Sequence, residues 1–185
     1  MSTSSFGPSA LATPANAITM ARVVALPVVV LLIVGTDTEW PALALWFVLC
    51  ISDLADGWLA RRQGATRSGA FLDPLADKVL VLGAMTALVA KGSMWWVPVT
   101  LIASREVAVS AYRSYVGRRG ISVPARLSGK VKTWVQAIAV GLAIVPSTSE
   151  IYLAFVDGVV WAAVAMTLAT GLQYLHEGRQ VVRAL

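Results

Sequence analysis

Charge is scarce in this chain. Only 14% of its 185 residues are Asp, Glu, Lys or Arg, and 57% are hydrophobic, against about a quarter charged and half apolar in an ordinary soluble domain. The mean hydropathy of +0.72 agrees. There is a single cysteine, Cys50, which excludes an intrachain disulfide framework and a cysteine-built zinc site. Lying in an apolar run, Cys50 reads as a small buried residue. The single histidine, His176, has no histidine or cysteine near it to make a metal ligand set or a catalytic pair. Lys and Arg are missing from the segment before Ile18, so that segment lacks the basic start of a signal peptide. The first apolar stretch is therefore expected to be kept as a helix. No internal repeat is found, and no low-complexity tract beyond the Ser/Pro-rich amino-terminal tail.

What is abundant is long apolar sequence broken by short polar loops. Helices are expected at about 17–35, 41–62, 69–90, 94–116, 130–146 and 151–175. At about 20 residues per span, six spans use up the length. The expected fold is an all-α integral membrane protein with six transmembrane helices, one domain over residues 15–185 behind a tail at 1–14. Arg61, Arg62 and Arg67 surround the second loop. Arg113, Arg118, Arg119, Arg126, Lys130 and Lys132 surround the fourth, and Arg179 and Arg183 lie in the tail. The other side has Lys91 with Asp37, Glu39 and Glu150. Basic loops stay in the cytosol, which puts both termini there, in a multi-pass arrangement in the plasma membrane. Trp40, Trp95 and Trp96 read as interfacial anchors, and Trp46, Trp134 and Trp161 as packing or lipid contacts. Pro27 and Pro98 are expected to kink their helices.

Topology does not explain the charges inside the spans. Four of the ten acidic residues, Asp53, Asp56, Asp73 and Asp77, fall within one short segment. Carboxylates inside membrane helices are costly and mark sites. At 100° per residue, Asp53, Asp56, Gly57 and Ala60 share one stripe, and Gly69, Asp73 and Asp77 share another on the next helix. Asp53 precedes Arg61 by eight residues and Asp77 follows Gly69 by eight, so both lie about 12 Å into their helices from the joining loop. Helices joined by so short a loop are expected to pack as antiparallel neighbours. Four carboxylates facing one another at one depth need cations between them. Oxygen-only ligands favour Mg²⁺ or Mn²⁺ over Zn²⁺, and two such ions about 4 Å apart can hold a diphosphate. Gly57, Ala60 and Gly69 would let a nucleotide approach the backbone, although small residues also serve plain helix packing.

The run Asp53-x-x-Asp56-Gly57-x-x-Ala60-Arg61, then Gly69-x-x-x-Asp73-x-x-x-Asp77, resembles the signature of the CDP-alcohol phosphatidyltransferase family at every fixed position. The resemblance implies that Asp53, Asp56, Asp73 and Asp77 bind two metal ions, and that Asp77 also deprotonates the acceptor hydroxyl. It implies that the CDP-lipid lies along Asp56, Gly57, Ala60, Arg61, Gly69 and Asp73, with CMP leaving after in-line attack. It also implies six transmembrane helices, commonly in a homodimer among membrane lipids, and no nucleic-acid partner.

Three further features bear on the acceptor alcohol: Asn16-x-x-Thr19-x-x-Arg22, the pair Arg105-Glu106 with Arg113 two turns on, and Gly129-Lys130-Val131-Lys132-Thr133-x-x-Gln136. A charged pair inside a span suggests a polar cavity, and lysines near a helix amino end suit an anion. Arg105, Arg113, Lys130 and Lys132 are therefore expected to hold an acceptor phosphate, with Asn16, Thr19, Arg22, Thr133 and Gln136 in support. Snorkelling to lipid headgroups is the plainer account of such basic residues, and it is preferred for Arg118, Arg119 and Arg126. The three features resemble the phosphatidylglycerophosphate synthase branch, which implies CDP-diacylglycerol and sn-glycerol 3-phosphate as substrates. Alternatives are an inositol-phosphate acceptor, phosphatidylglycerol as acceptor in a cardiolipin synthase, or, more distantly, a divalent-cation transporter. A transporter would need polar residues along the whole depth of the membrane, and the outer halves of these spans have almost none.

Overall fold

The computed structural model describes the backbone of residues 14–63, 69–118 and 127–183, and the side chains of 17, 19–52, 75–116 and 131–176. Regular structure among these residues is helical throughout, in six helices and no strand: α1 (Pro14–Val34), α2 (Glu39–Gln63), α3 (Gly69–Lys91), α4 (Trp96–Arg118), α5 (Leu127–Ile144) and α6 (Glu150–Arg183). The boundary expected at residues 14 and 15 falls at the start of α1, and residues 1–13 lie outside the described part.

The helix ends follow local chemistry. Pro14 opens α1, where a missing N–H removes no ladder bond. Between α1 and α2, Asp37 takes a left-handed φ of 55°, which Asp tolerates better than most residues. The Thr38 hydroxyl donates to the Leu32 carbonyl at 2.6 Å, closing α1, while its own carbonyl accepts the Ala42 N–H at 2.9 Å, opening α2. Gly92 stops α3 at φ +82°, the left-handed position that follows many helices. Ser149 caps α6, accepting the Leu153 N–H on its carbonyl at 3.0 Å and the Tyr152 N–H on its hydroxyl at 3.5 Å. Pro98 lies in the first turn of α4, where no kink is required, whereas Pro27 sits inside α1. α6 runs eight residues beyond the expected 175. Its last turns are rich in Glu, Arg and Gln, which keep helix propensity after the apolar character has ended.

The chain divides into two units, Met1–Lys91 and Gly92–Leu185. In the first, α1 packs against both α2 and α3 around Val29, Ile33, Trp46, Ala84, Met85 and Leu88. α2 and α3 each pack on α1, while the ends of α2 and α3 beside their joining loop, where the two are expected to pack on each other, lie outside the described side chains. Gly83 explains the close fit of α1 on α3, because a Cβ there would stand 2.8 Å from Leu26 Cδ1. In the second unit, α6 packs against both α4 and α5, with Ile102, Val140, Val160 and Ala163 in the core. The described stretch Glu150–His176 is long and apolar enough to cross a membrane. Thr19–Val34, Glu39–Ser52 and Val131–Ile144 are shorter apolar stretches.

Candidate functional site

The first unit carries the aspartate-rich segment on α2 and α3. The backbone places Asp53, Asp56, Gly57, Ala60 and Arg61 on α2, and Gly69, Asp73 and Asp77 on α3. Helical spacing then puts each set on one stripe. The side chains of these residues other than Asp77 lie outside the described residues, as do those of Asn16 and Lys130. Asp77 is half-buried, and its Oδ1 accepts a 2.6 Å hydrogen bond from Arg22 Nη1. Arg22 is itself 2% exposed. Leu26, one turn on, lies against Gly83 of α3, so this part of α1 meets α3 at both positions. Thr19, one turn before Arg22, is equally buried. A buried arginine is tolerated when its charge is paired. The supporting residue Arg22 is thus a direct partner of the expected catalytic aspartate.

In the second unit, polar groups converge where α4, α5 and α6 meet. Glu106 and Lys132 are buried. Glu106 Oε1 accepts from Lys132 Nζ and from Arg105 Nη1 at 2.9 Å. Arg105 Nη2 donates to Thr170 Oγ1 at 3.0 Å. One turn after Lys132, the buried Gln136 donates to Thr167 Oγ1 at 2.8 Å, and Thr133 is half-buried. Two cations thus share the Glu106 carboxylate. The Arg105 Nε–H is buried and has no acceptor among the described residues. Arg113 is set apart from this trio. It is exposed, and its guanidinium lies 5.3 Å above the Tyr174 ring, a cation–π contact. Tyr174 also meets Tyr112 edge-on, with centroids 6.2 Å apart.

The structure therefore brings together Arg105 and Lys132 of the expected acceptor-phosphate set, and places Arg113 on a separate aromatic pair. Thr167, Thr170 and Gly171 of α6 join the cluster, and none of them stands out in the sequence as a site residue. The available signal was two threonines three apart with a glycine, inside an otherwise apolar helix.

The chain belongs to the CDP-alcohol phosphatidyltransferase family, whose model matches residues 12–171, and it is an enzyme of that type. Among individual relatives, it is 42% identical over 176 residues to a probable phosphatidylglycerophosphate synthase of Mycobacterium tuberculosis, covering 91% of this chain and 83% of the relative. It is similar to proteins named CDP-diacylglycerol–glycerol-3-phosphate 3-phosphatidyltransferase from Shigella flexneri, at 37% identity over 88% of this chain and 92% of the relative. The like-named protein of Rickettsia bellii is 35% identical over 86% of this chain and 91% of its own length.

Proposed function

We propose that this enzyme transfers a phosphatidyl group from CDP-diacylglycerol to sn-glycerol 3-phosphate, giving phosphatidylglycerophosphate and CMP in phospholipid biosynthesis. The acceptor's free hydroxyl oxygen attacks the lipid-side phosphorus. A P–O bond forms there, the diphosphate P–O bond breaks, and CMP leaves with the bridging oxygen. The hydroxyl proton passes to the Asp77 carboxylate, which Arg22 holds through Oδ1, and then to water. The CDP-lipid is held along Asp56, Gly57, Ala60, Arg61, Gly69 and Asp73.

Asp53, Asp56, Asp73 and Asp77 offer only carboxylate oxygens, a donor set that fits hard divalent cations such as Mg²⁺ or Mn²⁺. When bound there, two such ions would neutralise the diphosphate and the charge that develops on the attacking and leaving oxygens.

The observation that carries the choice of acceptor is the gathering of two cations, the half-buried Arg105 and the buried Lys132, on Glu106, an arrangement that suits an alcohol that brings its own phosphate. The Arg105 Nε–H is a donor that a phosphate oxygen would satisfy. The names of the relatives from Shigella flexneri and Rickettsia bellii support glycerol 3-phosphate over the alternatives. Lys130, at the end of the first turn of α5, and the more distant Arg113 are assigned to the approach of the anion.

The enzyme is read as a six-span protein of the plasma membrane, with both termini and the site on the cytosolic side, working as a homodimer. The apolar stretch of α6 supports the membrane setting, being mostly uncovered, where the core helix of a soluble protein would be covered. Val24, Leu31, Ile151 and Leu172 likewise present large apolar side chains outward.

The test is CMP release by purified protein from CDP-diacylglycerol with Mg²⁺ or Mn²⁺, a chelated control, and a panel of acceptors. Glycerol 3-phosphate is expected to give the highest kcat/KM. A higher value for inositol phosphate or phosphatidylglycerol would overturn the acceptor, and no CMP release with any alcohol would overturn the chemistry.

A further inference from the structure

Arg105 is a long side chain that must cross from α4 to α6 with its charge in a fixed place. Its two terminal nitrogens are held from opposite sides, Nη1 by Glu106 at 2.9 Å and Nη2 by Thr170 Oγ1 at 3.0 Å. The Thr170 hydroxyl is itself oriented, because it donates within its own helix, to the Met166 carbonyl at 2.8 Å. Its lone pairs are thereby left to the guanidinium. The middle of the side chain lies against the next residue. Gly171 is buried, and a Cβ built there would stand 2.8 Å from Arg105 Nε, closer than real Cβ atoms come, and a tight 3.0 Å from Cγ. Arg105 cannot swing aside cheaply, since both ends of its guanidinium are tied. Nε, the atom that a Cβ would press on, is also the one guanidinium nitrogen with no acceptor among the described residues. Gly158, on the same helix, offers the contrast, for a Cβ there would meet nothing within 4 Å.

We infer that Thr170 and Gly171 of α6 form the seat of Arg105 and are positioning residues for the acceptor's phosphate. Thr170 fixes the rotation of the guanidinium. Gly171 supplies the depth that lets it lie flat against α6. The inference rests on the reading of Arg105 as a ligand of that phosphate, and the experiment separates the two.

Steady-state KM for glycerol 3-phosphate and for CDP-diacylglycerol would be measured for Arg105→Ala, Gly171→Ala, Gly158→Ala and the double variant Arg105→Ala/Gly171→Ala. Gly171→Ala is expected to raise the glycerol 3-phosphate KM about tenfold, as loss of one charge-assisted hydrogen bond would, with the CDP-diacylglycerol KM unchanged and Gly158→Ala like the parent. The double variant should be no worse than Arg105→Ala alone, since residues acting through one another are not additive. If Arg105→Ala leaves the acceptor KM unchanged, the reading of Arg105 fails and the seat fails with it. If Arg105→Ala raises that KM but Gly171→Ala does not, only the seat is overturned. Equal loss for both substrates, or multiplicative losses in the double variant, would reduce Gly171 to a packing residue and overturn the inference. Should Gly171→Ala not accumulate, Thr170→Val decides. It keeps the volume and removes the hydroxyl, so it should raise the acceptor KM alone, with Thr170→Ser restoring it, and parental kinetics for Thr170→Val would refute the seat.

Discussion

At the scale of single residues, the feature with the largest consequence is the pairing of Asp77 with Arg22. If Asp77 takes the acceptor's proton as proposed, it has to be fixed in direction, and the buried Arg22 guanidinium holds it through one oxygen. Asp77→Asn keeps the shape and removes the charge. Its kcat should fall about a hundredfold or more, the range expected when a positioned base is lost. Parental turnover in a CMP-release assay would rule Asp77 out as the base. Arg22→Met should act on the fold as well as the rate. Removing one member of a largely buried pair leaves the other uncompensated, and a loss of about 1–3 kcal/mol is expected in detergent unfolding. The pair was invisible in the sequence for a plain reason. Arg22 and Asp77 are 55 positions apart, and a helical stripe says which residues share a face but not which face a distant helix covers. The same holds for Arg105 and Thr170, 65 positions apart. The aspartates on α2 and α3, by contrast, were legible because their spacing is local and their charge is out of place among apolar neighbours.

At the scale of helices, the register of α1 on α3 is set by one missing side chain. Leu26 fills the space over Gly83, and this approach lets Arg22 reach Asp77 from one turn away. Gly83→Val would put new bulk against Leu26 and force the helices apart, for about 1–3 kcal/mol of overpacking. The expected signature is a joint loss of stability and kcat, with acceptor KM left near the parental value. Loss of stability with a normal kcat would mean that the Arg22–Asp77 pair does not depend on this contact. Sequence patterning gave all six helices and most of their ends, because the caps are local. It did not give α1 as the helix packed between partners, since loop length suggests neighbours only for consecutive helices.

The far ends of α1, α2 and α3 are joined by a different device. Lys91 in the last turn of α3 donates to Glu39 in the first turn of α2 at 2.6 Å, and to the Gly35 carbonyl at 3.3 Å. The hydrogen bond from Lys91 holds the Glu39 carboxyl below its ordinary value. A carboxylate with a lowered pKa stabilises the fold fully above its unfolded value, about 4.3, and loses that contribution as pH falls through the lowered folded value. Thermal melts of the parent and Glu39→Gln should therefore differ at pH 7 and converge as the pH drops below about 4. A difference that persists unchanged into acid would assign the effect to packing rather than to charge.

At the scale of the whole molecule, the distribution of basic residues makes a claim about sidedness that the helices alone do not. Arg61, Arg62 and Arg67 flank the second connection, and Arg118, Arg119 and Arg126 the fourth, whereas Lys91 on the other side is already engaged by Glu39. If the loops carrying the excess of arginine stay in the cytosol, Ser93 and Thr148 lie outside and Gly120 lies inside. The chain is suited to a direct test because Cys50 is its only cysteine. In a Cys50→Ala background, Ser93→Cys and Thr148→Cys should react with a membrane-impermeant maleimide on intact cells, and Gly120→Cys only after permeabilisation. The reverse pattern would invert the protein. Inversion would also place the aspartates on the side away from the cytosolic supply of nucleotide-activated lipid and glycerol 3-phosphate, so the labelling bears on the chemistry as much as on the topology.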